Sequence, residues 1–239
     1  MRYQFRFRAI PFVATVLLVA LGVALGQWQD RRGAEKTRTQ AMLTERAAAA
    51  PVVLDGTPRD PAAMEWRRVS VTGEFVGHWP IFLNNRPIDG KVGFYLVMPF
   101  KIAGSSREVL VARGWLPRYT GEHDRLPPFA TPAGTVMVQG VARRALGNIM
   151  QLGEPTPLAP KAIVQNLAVA DYASAAKAEV LPFFIEQTTA IDAGDQLVRN
   201  WPAPALGVEK HQGYAFQWYA LAVMAFLFFV ITGFRRGPN

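Results

Sequence analysis

Two long apolar runs frame the chain, and between them the pattern changes character. The first run, AIPFVATVLLVALGVALG from Ala9 to Gly26, follows the basic leader MRYQFRFR. At about 1.5 Å per residue its roughly 18 residues reach about 27 Å, close to the hydrocarbon thickness of a bilayer. Pro11 falls in the first turn, where its missing N–H costs least. A cleaved signal peptide is the rival reading, with Ala24-Leu25-Gly26 as the small-residue site before Gln27. The second run, Tyr214 to Phe234, carries no charge. It also lacks the polar stripe of a helix packed on a soluble core. Trp218 and Tyr219 stand near its start, as interfacial aromatics do, and Arg235 and Arg236 stop it.

The intervening sequence starts helical and turns to strands. QWQDRRGAEKTRTQAMLTERAAAAP is rich in helix formers up to Pro51. WRRVSVTGEF then alternates Val69, Val71 and Gly73 with polar neighbours, a period of two. IFLNNRPIDG reads as a strand followed by a turn at Asp89-Gly90, and GFYLVMPF, EVLVARGWLP, GTVMVQGVARR and LPFFIEQ read as further strands, with GSS as a hairpin loop. NLAVADYASAAKAE has helical composition, and EPTPLAP and WPAPALG are Pro-rich connectors. The predicted organisation is a tail at 1–8, a transmembrane helix at 9–26 and a helical extension at 27–51. A β-rich domain follows at 52–205, then a connector at 206–213, a second transmembrane helix at 214–234 and a tail at 235–239. The fold class is a membrane protein: N- and C-terminal transmembrane helices flank a compact, mostly antiparallel β (α+β) domain outside the cytoplasm.

Charge alters this picture little. The net charge of +8 has much of its excess in Arg2, Arg6, Arg8, Arg235 and Arg236. Basic tails beside apolar runs fit membrane flanks, whereas a nucleic-acid site gathers cations on one face. Both termini are therefore expected in the cytoplasm, although Arg31, Arg32, Lys36 and Arg38 flank the far side of the first helix. The absence of cysteine removes disulfides, thiolate nucleophiles and Cys-ligated metals. There is no G-x-S-x-G, H-E-x-x-H, Walker A or G-x-G-x-x-G motif. His78, His123 and His211 are far apart, and Glu122, Asp124 and Asp89 read as loop surface. Arg86, Arg113 and Arg118 lie in or beside strands. Two readings stand for them: binding of an anionic group, or protection of strand edges.

LGQWQDRRGAEK with Trp28, Gln29, Arg32 and Lys36, then VTGEF, IFLNNRPIDGKVGFYLVMPF, VLVARGWLPR and HQGYAFQWYAL occur in this order between two apolar helices. In this the chain resembles the SURF1 family of cytochrome oxidase assembly proteins. The stretch Ala142–Leu206 matches more loosely. The resemblance implies a non-enzymatic protein of a bacterial inner membrane that helps mature the haem-bearing subunit I of haem–copper oxidases. It favours retention of the first helix. It also implies haem a as cofactor, with His211 as axial ligand to the haem iron, and haem a synthase and membrane lipid as further partners. Along a helix His211, Tyr214, Ala215 and Trp218 share one face. Ala215 would leave room for a flat ligand, Trp218 would stack on it and Tyr214 would donate a hydrogen bond. Without the resemblance, the same cluster reads as an interfacial histidine with two belt aromatics. Two functions stay open: a haem-handling assembly factor, and a protein-only scaffold for an oxidase subunit.

Overall fold

The computed structural model describes residues 3–5, 7–119, 121, 125–151, 153–192, 194–202 and 208–236. Arg2, Arg6, Glu122, His123, Asp124 and residues 203–207 lie outside the described residues. In chain order the elements are β1 (Tyr3–Phe5), α1 (Ala9–Ala48), β2 (Val52–Leu54), α2 (Pro61–Met64), β3 (Arg68–Phe75), β4 (Ile81–Leu83) and β5 (Gly93–Ile102). Then come β6 (Glu108–Pro117), β7 (Val136–Arg143), β8 (Ile163–Val164), α3 (Val169–Ala176), β9 (Val180–Gln187), α4 (Val208–Gly233) and β10 (Phe234–Arg236). The chain divides into a helical unit, Met1–Thr44 with Pro204–Asn239, and a β unit, Glu45–Ala203.

In the helical unit both helices are long and apolar enough to cross a membrane. The apolar run and the polar stretch after it form one continuous α1 of 40 residues, because no Pro or capping signal interrupts the helix formers after Pro11. α4 begins at Val208. His211 to Gly213, read from sequence as connector, therefore belong to its first turns. The two helices run antiparallel with their backbones close. A Cβ on Gly22 would sit 2.9 Å from Ala222 Cβ and 3.0 Å from the Trp218 carbonyl oxygen. One on Gly26 would lie 2.5 Å from the Tyr219 ring, and one on Gly33 3.6 Å from His211 Cβ. Close approach at small residues is how helices associate where lipid gives no hydrophobic drive. At the far end β1 pairs antiparallel with β10, Tyr3 opposite Arg236 and Phe5 opposite Phe234. Both tails thus leave the helix pair at the same end.

The β unit is built on a closed ring of strands. β3 pairs with β7, β7 with β9, β9 with β6 and β6 with β5. β5 then pairs back onto β3 through Gly73–Phe75 and Phe100–Ile102. Gly73 permits this closure, since a Cβ there would overlap the Lys101 carbonyl. Most pairs are antiparallel; β2–β3, β6–β9 and β4–β8 are parallel. β3 shows the alternation expected, with Val69 and Val71 each 1% exposed in a core that also holds Phe100, Val111, Val138 and Phe183. β5 and β6 are buried on both faces, because α3 and its flanking loops cover Tyr95, Val97, Leu110 and Ala112 on the other side. Short strands finish the sheet: three-residue β2 at one margin and two-residue β8 at the other.

Between β5 and β6 the register slips, with Leu96 opposite Gly114 and Val97 opposite Ala112. Arg113 is the extra residue of this bulge. A bulge re-aims a side chain, and here the Arg113 side chain is turned inward.

Candidate functional site

The sequence-derived residues sort into two places. His211, Tyr214 and Trp218 are on α4 in the helical unit. The arginines and the remaining described histidine, His78, are in the β unit, where His78 is exposed in the turn after β3. Among the described residues no three His, Asp or Glu side chains gather in a metal-binding group.

The α1–α4 seam is built from α1 outward. Gly22, Gly26, Gln29 and Gly33 recur at intervals of four, three and four residues, so they form one helical stripe. The glycines bring α4 close, and Gln29 is the amide within that stripe. Its Oε1 lies 2.6 Å from His211 Nδ1. A carbonyl oxygen only accepts, so a bond of this geometry has Nδ1–H as its donor. One residue on, Asp30 Oδ2 accepts from Tyr219 Oη at 2.7 Å. This carboxylate is thereby held by a phenol. Gln29, Asp30, Gly33, Thr37, Arg38 and Gln212 line a polar hollow of about 420 Å³ at this level.

Deeper in the membrane span, Trp218 lines an apolar groove of about 620 Å³ with Leu18, Leu21, Leu221 and Met224. Tyr214 is more than half exposed. Ala215 is only 3% exposed. The expectation that its small side chain leaves room for a flat ligand is corrected here, since its methyl has no open space beside it. His211 and Trp218 lie on α4, both half-buried, and the residues present fit a haem in one respect: a ligating histidine commonly has its other ring nitrogen hydrogen-bonded to a neighbouring group, as His211 Nδ1 is to Gln29.

The strand arginines hold a different surprise. Neither edge protection nor open anion binding describes Arg86 and Arg113, which are 5% and 1% exposed. Arg86 donates to the carbonyls of Gly147 at 3.1 Å and Gln165 at 2.9 Å. Arg113 donates to the Ala130 carbonyl at 2.8 Å and stacks its guanidinium 4.7 Å from the Phe75 ring centre. Its Nη2 is 3.9 Å from Asp195 Oδ2, which Arg199 also engages. Burial lowers the Arg113 pKa to about 10, against the upward pull of Asp195, so it stays charged at neutral pH. Arg118 is half-buried, 3.5 Å from Asn84 Oδ1. These arginines bind the β unit's own loops together.

Sequence reasoning singled out His211 but gave Gln29, Asp30 and Tyr219 no role as its surroundings. The signal was present in the spacing of Gly22, Gly26 and Gly33, which marks the α1 face that meets α4 and includes Gln29.

Comparison with known proteins finds several relatives. A SURF1-like protein of Monosiga brevicollis is 25% identical over 231 residues, covering 90% of this chain and 84% of that protein. A SURF1-like protein of Rickettsia felis is 36% identical over 99 residues, 39% of this chain and 40% of that one. The cytochrome oxidase assembly protein SHY1 of Saccharomyces cerevisiae is 33% identical over 94 residues, 38% of this chain and 24% of that one. The chain thus spans well under half of the yeast and rickettsial relatives and most of the choanoflagellate one. The sequence profile of the SURF1 family matches residues 16–223, from within α1, through the whole β unit, to within α4. The chain belongs to the SURF1 family.

Proposed function

We propose that this chain is a non-enzymatic assembly factor for a haem–copper terminal oxidase, and that it holds haem for delivery to subunit I. The observation that carries the haem reading is the hydrogen bond between His211 Nδ1 and Gln29 Oε1, which engages Nδ1 and would leave Nε2 as the nitrogen to bind the haem iron. The assembly role is supported by the yeast relative, whose name states it. Haem a is the proposed cargo, with haem a synthase as donor. His211 would supply the iron bond, and Trp218 and Tyr214 would flank the ring. The haem supplies the redox centre of the finished oxidase; this chain only binds and orients it. The proposed location is a bacterial inner membrane with both termini cytoplasmic and residues 27–213 on the far side, in contact with lipid along both helices.

His211→Ala should abolish or strongly reduce haem bound to the purified full chain, read as a pyridine haemochrome spectrum, at unchanged membrane levels. Trp218→Leu keeps apolar surface and loses aromatic stacking, worth about 0.5–1.5 kcal/mol. Affinity should then fall by about tenfold or less. The second reading, a protein-only scaffold for an oxidase subunit, is favoured by one observation: Ala215 is buried, so its own methyl faces no open space on the side it shares with His211 and Trp218. Full haem content in His211→Ala would decide for the scaffold.

A further inference from the structure

We infer that Gln29 is a positioning residue for His211, fixing the imidazole as the Nδ1–H tautomer and setting its strength as a ligand. The inference rests on the haem-ligation reading for its consequence, but the tautomer itself does not depend on haem. Three observations support it. Gln29 Oε1 lies 2.6 Å from Nδ1, a bond between partners 182 residues apart in sequence. Gln29 stands on the same α1 stripe as Gly26 and Gly33, and His211 Cβ lies against Gly33, 3.6 Å from where a Cβ there would stand. The amide therefore meets the ring across a seam that backbone contact holds in register. Third, the carboxylate next to Gln29 on α1, Asp30, is engaged by Tyr219 Oη at 2.7 Å. Its diversion leaves a neutral acceptor for Nδ1–H. A carboxylate there would draw the proton and push the ring toward imidazolate, a stronger donor to ferric iron; an amide keeps it a neutral ligand of moderate basicity. A protein that must hand its cargo on is served by such a moderate bond.

The test uses the full chain in lipid nanodiscs as wild type, Gln29→Leu, Gln29→Glu and His211→Ala. The first readout is ¹⁵N NMR of haem-free protein labelled at histidine. Wild type should show His211 as a single tautomer with unprotonated Nε2, and Gln29→Leu a mixture of both. The second is haem titration: Gln29→Leu should weaken binding by about ten- to hundredfold, the usual effect of removing a ligand's outer partner. The third is the midpoint potential of the haem-loaded protein, which Gln29→Glu should lower relative to wild type while restoring binding. A helix pair that merely loosened would lose affinity in Gln29→Leu without a tautomer change, and Gln29→Glu would not move the potential; that result overturns the inference. If His211→Ala retains haem, the ligation reading fails on its own, and the NMR readout still decides the role of Gln29. If His211→Ala loses haem while Gln29→Leu keeps one tautomer and full affinity, the ligation reading stands and Gln29 has no positioning role.

Discussion

Glu186 shows how a single buried carboxyl can set a pH response. Burial pushes its pKa up, the nearby Glu65 adds to the rise, and Arg143 Nη1 at 2.8 Å opposes both. The folded chain therefore keeps this proton to higher pH than the unfolded chain does. Stability from this group is greatest at acid pH and falls as pH rises from about 4.5 through the raised folded value. Glu186→Gln should remove that slope, so the variant gains on wild type across this window. Unfolding of the full chain followed at several pH values checks it; parallel curves for the two proteins would rule it out. Such residues were poorly legible in the sequence. VARGWLPR shows an arginine in a strand, but not that a bulge places it out of the alternation, beside Ala130 and Asp195. The partners of Arg86, Gly147 and Gln165, are more than sixty residues away, and local pattern carries no information on contacts at that separation.

Elements were easier to read than their partners. The alternation of Val69 and Val71 announces β3, since one face of that strand meets the core. Periodicity alone leaves open whether a continuous run such as GFYLVMPF is strand or helix; the flanking turn signals and its length decide for strand, and burial on both faces explains the run. The start of α4 was less visible, because EKHQGY has no cap residue to mark it and the apolar run begins six residues later. The tails were read as charged flanks, and their pairing as β1 and β10 depends on two ends 231 residues apart meeting, Tyr3 with Phe5 on one side and Phe234 with Arg236 on the other. Helix pairing gives the prediction at this scale. Gly22→Leu drives a side chain against the Trp218 carbonyl, which cannot rotate away, and should cost about 1–3 kcal/mol in overpacking. Gly33→Ala meets only ordinary contact at 3.6 Å and should be close to neutral. Thermal unfolding in nanodiscs, with a spin-label distance between α1 and α4, separates the two; equal stability of both variants would refute the close seam.

For the whole molecule, the antiparallel helix pair and the paired tails make one expectation about sidedness. The chain has no cysteine, so single cysteines report without background. Cysteines at Ser105 and at Asn239 should label from opposite sides of the membrane, and one at Gln4 from the same side as Asn239. Labelling of all three from one side would remove the two-span arrangement. The organisation into two apolar helices around a β domain was legible in the sequence, because a bilayer imposes length and composition on anything that crosses it. The closure of the β unit was not, because it depends on Gly73 letting β3 return to β5, a contact no periodicity encodes.

That closure has a consequence for recognition. Among the described residues the ring strands pair largely with one another, and the short β2 and β8 lie at the margins of the sheet. Strand addition, in which an extended peptide lengthens a sheet, needs a run of free N–H and C=O groups. The β unit offers short runs of this kind at its margins, so a partner docking on this unit would be met mainly by side-chain surfaces and loops. Its recognition is then a matter of shape and charge, alterable one residue at a time without loosening the barrel beneath.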